Sequence, residues 1–175
     1  MKTCALVIGH KKRSPGAHNE KFNLTEFGFN QNLAQEIESK VVGVDVQIIY
    51  RRTYASLPSD INELNPDFII SLHCNAFNRK VSGTEVLYYH HSNSGKKMAE
   101  ILLESLVNAL SLSNRGIRPK SAEDRGGFLL MSTNAPCIIS EPFFIDNDQD
   151  LEIAICKRRD LSGAYAKAIE RIAAL

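Results

Sequence analysis

Three short apolar runs, each ending on a residue that can hold a proton or a metal, restrict what this 175-residue chain can become. Phe68-Ile69-Ile70-Ser71-Leu72 follows the turn signal Asn65-Pro66 and delivers His73. Leu6-Val7-Ile8-Gly9 delivers His10, and Cys137-Ile138-Ile139-Ser140 delivers Glu141. Runs this short, rich in β-branched residues and bounded by turn residues, read as buried strands. In open α/β sheets, ligands sit in the crevice beyond the strand carboxyl ends. Two imidazoles and a carboxylate can therefore meet on one rim, an arrangement that points to a metal.

The segments between the runs change period. From Leu24 or Thr25 to about Ser39 the pattern is helical, with Phe29, Leu33 and Ile37 on one stripe, Thr25 as the N-cap, and Glu26 and Asn30 one turn apart beside it. Val44 to Tyr50 reads as a strand, Asp60 to Leu64 as a short helix, and Thr84 to Tyr89 as a strand. Ser94 to Leu112 is the clearest helix, on a stripe of Met98, Ile101, Leu102, Ser105, Leu106 and Ala109. Lys11 to Asn23 and Asn114 to Gly127 read as long loops, and Gly127 to Met131 as a further short strand joined to the next by Asn134-Ala135-Pro136. The chain from about Asn147 is helical and closes on Leu161, Ala164, Tyr165, Ala168 and Ile172. The expected fold is α/β: one domain over residues 1–175, a mostly parallel twisted sheet of about six strands with helices on both faces.

Composition narrows the classes of function. A chain of this length buries roughly 70% of its unfolded surface around a single core. The formal net charge of +1 argues against a general nucleic-acid binder, and Lys11-Lys12-Arg13 and Lys157-Arg158-Arg159 read as solvated basic surface. No stretch approaches the apolar length of a membrane span, and the amino terminus is too short to read as a secretory signal. Synthesis in a cytosol is the expectation. Cys4, Cys74, Cys137 and Cys156 show no CxxC pairing and read as reduced thiols rather than a disulfide framework.

Hydrolytic zinc takes three protein ligands and leaves one position open, and two His with one Glu is a common set. His10 and His73 supply the imidazoles. On spacing alone the carboxylate is Glu20 or Glu26, and a ligand in a first helical turn, Glu26, is the more rigidly held.

With these residues in place, the chain resembles the zinc-dependent N-acetylmuramoyl-L-alanine amidases of bacterial cell-wall hydrolases and phage endolysins. The likeness runs through Ile8-Gly9-His10 with Pro15-Gly16-Ala17, Thr25-Glu26 with Asn30, and Ser71-Leu72-His73-Cys74-Asn75-Ala76. It continues in Gly83-Thr84-Glu85-Val86, Asn114-Arg115-Gly116, and Pro136 to Asn147 around Glu141. Lys11, Cys74 and Pro142 depart from the family's usual residues.

The resemblance implies His10, Glu26 and His73 as metal ligands, with Glu26 chosen over Glu20, and Glu141 as the catalytic carboxylate. It also implies a substrate, peptidoglycan, and a bond, the amide between N-acetylmuramic acid and L-alanine. A glutamate off the metal can take a proton from water and pass it to the departing amine. Asn75 and Arg115 are candidates for substrate contact, Arg115 by forking onto a stem-peptide carboxylate. Arg51-Arg52 read as a brace for the fold, and His18 and His90-His91 as solvated turn residues. The expected setting is a phage lysin or an autolysin without a separate wall-binding domain, released to the wall through a holin-made membrane hole. The rival readings are a zinc peptidase acting on stem or other peptides, and a non-catalytic peptidoglycan-binding module.

Overall fold

Strand β1 (Lys2–Ile8) lies inside a six-stranded sheet, flanked in parallel by β4 (Val44–Tyr50) and β5 (Phe68–Leu72). β5 pairs in parallel with β8 (Cys137–Glu141), and β8 pairs antiparallel with β6 (Thr84–Tyr89). β7 (Asn114–Lys120) closes the edge beside β6, giving the order β4-β1-β5-β8-β6-β7. A two-residue pair, β2 (His18–Asn19) with β3 (Leu24–Thr25), folds the segment after β1 back onto the domain. The computed structural model describes residues 1–175.

Both faces of the sheet are covered, to unequal depth. Alternation along β1 sends Cys4, Leu6 and Ile8 to one face and Ala5 and Val7 to the other. The first face carries a core of 31 buried residues shared with α1 (Glu26–Glu38), α3 (Asn93–Leu110), α5 (Asp148–Cys156) and α6 (Arg158–Ala173). The second carries only 10, against the short helices α2 (Leu57–Glu63) and α4 (Gly127–Ser132). Three helix starts, those of α1, α3 and α5, are capped by side chains: Thr25 accepts from Gly28 N, Ser92 from Gly95 N, and Asn147 from Gln149 N and Asp150 N. At the centre of the thick face the Tyr165 hydroxyl, wholly buried, donates to Ser140 Oγ at 2.8 Å, tying α6 to β8.

The structure corrects the sequence reading in two places. Gly127 to Ser132 is helix α4 rather than a strand. A short apolar run of Leu and Met without β-branching suits either state. Here Gly126, at φ 86°, turns the chain into a helix start that buries Leu129 and Leu130. Gly127 is then packed so tightly that an added Cβ would lie 1.9 Å from the Ser121 carbonyl. Asn114 to Lys120, expected as part of a loop, is the edge strand β7. As an edge it carries no apolar run, tolerates Pro119, and meets β6 through a register shift between Thr84 and Val86.

The basic cluster at Arg158 also does more than face solvent. Its guanidinium lies 4.3 Å from the centroid of the Phe29 ring, and its Nε donates to Glu36 at 3.0 Å, clamping α6 onto α1. Cys4, Cys74 and Cys137 are buried free thiols, and burial pushes the Cys137 thiol up to about 12.

Leu33 is wholly buried in the thick core, whereas Val42 is 76% exposed. Urea unfolding is expected to show Leu33→Ala losing about 2–5 kcal/mol of stability, and Val42→Ala staying within about 0.5 kcal/mol of the parent.

Candidate metal and catalytic site

β1 ends in a crowded turn. Gly9 N donates to the Leu72 carbonyl at 2.9 Å, and a Cβ on Gly9 would lie 2.5 Å from that oxygen and 2.6 Å from His73 Cε1. Only glycine lets β1 and β5 close at this point. His10 follows with φ at 65°, a left-handed conformation that costs an ordinary residue about 1–2 kcal/mol. The return segment is equally tight. Gly16, at φ 80°, leaves room where a Cβ would lie 2.5 Å from Glu26 Oε2 and 2.7 Å from His10 Cδ2.

Glu26 opens α1 directly after the Thr25 cap and is 2% exposed. Its Oε1 accepts from Cys74 N at 3.0 Å and lies 2.9 Å from His73 Nδ1. Its Oε2 accepts from Ala17 N at 3.2 Å and lies 3.1 Å from His10 Nε2. Burial alone would raise the proton affinity of this carboxyl. The two histidines outweigh burial and hold the group well below the usual carboxylate range. One turn along α1, the buried Asn30 donates from Nδ2 to the Leu72 carbonyl at 3.3 Å, which fixes the helix against the strand that carries His73.

One ligand atom from each of His10, Glu26 and His73 lies within 4.8 Å of the others. His10 Nε2 is buried and lacks an aligned hydrogen-bond partner despite its approach to Glu26. Two imidazole nitrogens around an anionic carboxylate are a donor set suited to a divalent ion, and the unpartnered Nε2 is a free lone pair or proton in the middle of it. The group can hold a metal ion, and zinc fits its nitrogen and oxygen donors. Glu20 is exposed and stands outside the cluster.

A cavity of about 450 Å³ opens beside this cluster on the thin face of the sheet. His10, His73, Asn75, Glu85 and Glu141 all line it. Leu72 pairs with Ser140 in the β5–β8 register, so Glu141 comes up next to His73 at the rim. Its Oε2 is buried with no hydrogen-bond partner. Burial pushes the Glu141 carboxyl well above its ordinary range, and the negative charges of Glu26 and Glu85 push it further against the pull of Arg125 and Lys120.

Asn75 donates from Nδ2 to Glu85 Oε1 at 2.9 Å and so forms part of the cavity wall. Arg115 is not among the lining residues. Its Nε donates to Glu85 Oε2 at 2.9 Å, and its guanidinium lies 5.1 Å from the centroid of the Phe144 ring. His18, His90 and His91 are exposed and lie outside the cavity.

Sequence reasoning gave no site role to several lining residues: Glu85, Lys120, Arg125, Tyr54 and Phe128. Glu85 had a findable signal. A charged residue in an otherwise apolar strand run, directly opposite Glu141 in the antiparallel register, is a group placed for something other than packing.

A sequence model of the N-acetylmuramoyl-L-alanine amidase family matches residues 4–171, nearly the whole chain. An uncharacterised cell wall amidase of Bacillus anthracis is 28% identical over 115 residues, covering 59% of this chain and 21% of that protein. The chain thus spans about a fifth of the length of that curated relative. Among solved structures, an N-acetylmuramoyl-L-alanine amidase of Clostridium difficile 630 superposes with a TM-score of 0.87 at 19% identity, covering 99% of this chain and 97% of that one. The catalytic domain of an amidase of Bacillus (Paenibacillus) polymyxa gives 0.86 at 19% identity, with 99% of each chain covered. An amidase of Nostoc punctiforme gives 0.82 at 20%, covering 99% of this chain and 98% of that one. At these identities the superpositions establish a shared fold, and the match over residues 4–171 establishes more: the chain belongs to the N-acetylmuramoyl-L-alanine amidase family.

Proposed function

We propose that this domain hydrolyses the amide between N-acetylmuramic acid and the L-alanine of the peptidoglycan stem, with zinc held by His10, Glu26 and His73. The observation that carries the reading is the buried, unpartnered Oε2 of Glu141, a residue that lines the same cavity as His10 and His73 of the His10, Glu26 and His73 group. When bound, zinc supplies Lewis acidity that polarises a carbonyl and makes water a usable nucleophile near neutral pH. Glu26 stays anionic between two imidazoles and so holds both rings in a fixed orientation. Glu141 is the proton carrier. A carboxyl whose proton affinity is raised by burial can take a proton from the attacking water and give it to the departing L-alanine nitrogen. Asn75 and Glu85 shape the wall on the far side. No helix is long and apolar enough to cross a membrane.

Purified cell walls digested with the zinc-loaded chain are expected to release new L-alanine amino termini and leave intact muramic acid, as read by mass spectrometry. Chelator is expected to abolish the release, as is His73→Ala. Cleavage inside the stem peptide, or release indifferent to chelator, would reject the reading.

Glu141→Gln preserves shape and removes the proton carrier. It is expected to lower kcat about 10²- to 10⁴-fold with KM little changed.

The same variant tests the electrostatics in the absence of metal. Because the folded-state pKa of Glu141 lies above its unfolded value, the folded protein binds the proton more tightly. The associated stability is complete below the ordinary pKa of 4.5 and is lost as pH rises through the folded one. In chelator-treated protein, Glu141→Gln is therefore expected to be the more stable form at pH 7 in urea titrations. That advantage is expected to vanish as pH falls below the ordinary carboxyl pKa of 4.5.

A further inference from the structure

Arg51 and Arg52 leave β4 side by side and meet different fates. Arg52 braces the fold: its Nε donates to Asp60 Oδ2 at 3.1 Å, its Nη2 pairs with Asp60 Oδ1, and its carbonyl accepts from Lys11 Nζ at 3.2 Å. Arg51 forms no ion pair, and its Nε is buried with no hydrogen-bond partner. Buried polar groups in folded proteins are nearly always satisfied, so an orphaned guanidinium N–H marks a place where the partner comes from outside the chain.

Its position says which partner. Ile49 packs against the thin-face core, and Arg51, two residues on, projects from the same side of β4. Tyr50 is in register with Ile8, so Arg51 leaves the end of β4 on the rim where Gly9 and His10 leave the end of β1, and all three line the same cavity. The guanidinium lies 5.7 Å from the centroid of the Tyr54 ring, and Tyr54 packs at 5.5 Å against Phe128 of α4. This aromatic shelf holds the guanidinium plane toward the cavity shared with His10, His73 and Glu141. The other lining cations, Lys120 and Arg125, flank Glu123 and Asp124 on one segment, whereas Arg51 has no acid paired with it.

We propose that Arg51 is a specificity-determining residue that binds a substrate carboxylate within a residue or two of the cleaved amide. The proposal rests on the amidase reading and names its substrate class: stems whose second residue, glutamate, keeps its α-carboxylate free, in preference to stems in which that group is amidated. A guanidinium fork accepts a carboxylate through two charge-assisted hydrogen bonds, and a neutral amide cannot replace them.

The test measures binding and cleavage separately. Calorimetry on the 175-residue Glu141→Gln chain compares N-acetylmuramoyl-L-alanyl-D-glutamate with the same ligand amidated at the α-carboxylate. The acid is expected to bind about 10- to 100-fold more tightly. In an Arg51→Gln background the ratio is expected to collapse to about one, Arg51→Lys to retain part of it through the charge alone, and Arg52→Gln to leave it intact. Equal affinity for the two ligands with Arg51 present, no measurable binding of the acid, or a ratio unchanged by Arg51→Gln would overturn the proposal. Cleavage of both ligands by the wild-type chain is followed in parallel. A preserved binding ratio with no cleavage overturns the amidase reading and leaves the carboxylate subsite standing.

Discussion

The wedge of Glu26 between His10 and His73 is the interaction on which the rest of the structure turns. It joins the first residue of α1 to the ends of two neighbouring strands, and it does so with a carboxylate that is almost fully buried. A buried carboxylate is expensive unless it is paired and hydrogen-bonded. Here two backbone N–H groups and the His73 imidazole bond to it, and the His10 imidazole lies 3.1 Å away. The surrounding peculiarities follow from this need: the left-handed backbone at His10, the two glycines with no room for a side chain, and Asn30 holding the helix down.

The unequal covering of the sheet decides where chemistry can occur. Long helices seal one face, so it can only be core. On the other, the short helices α2 and α4 leave a cavity, which Leu57 of α2 and Phe128 and Leu129 of α4 help to line. Val7, Ser71, Leu87 and Ile139 form the floor of the cavity, and Glu85 and Glu141 stand on the same parity of β6 and β8. A residue's position within its strand thus separates packing from chemistry. Ser140 bonds to Tyr165 inside the thick core, while Glu141, one residue later, faces the cavity.

What was legible in the sequence was whatever is encoded by periodicity or by residue type at a strand end. The long helices, the central strands and the convergence of His10, Glu26 and His73 all have such a local signature. The choice between Glu20 and Glu26 was partly legible, because a capped helix start is rigid and a loop is not. The edge strand β7 was hidden because an edge carries half-exposed polar residues, and α4 because six residues of Leu, Met and Phe fit either period. Arg51 and Arg52 are indistinguishable in sequence. Their difference lies in Asp60, which is within reach of one guanidinium only. The placement of Arg115 behind Glu85 was likewise invisible, since it depends on two strands meeting across a register shift.

The single antiparallel join in the sheet bears on which parts of the chain build the site. β5 and β6 run in opposite directions with β8 lodged between them, so the segment from His73 to Gly83 bridges the end of a strand that lies more than fifty residues further along the chain. His10, Glu26 and His73 all belong to the first half of the sequence, on β1, α1 and β5, which are neighbours early in the chain. Glu141 comes from β8, and the pairing of Ile69 with Cys137 closes about as much chain as the pairing of Cys4 with Phe68, so the two closures carry a comparable entropy cost. The site thus draws its residues from both halves of the chain, and β8, lodged between β5 and β6, is the strand that brings Glu141 beside the His10, Glu26 and His73 cluster.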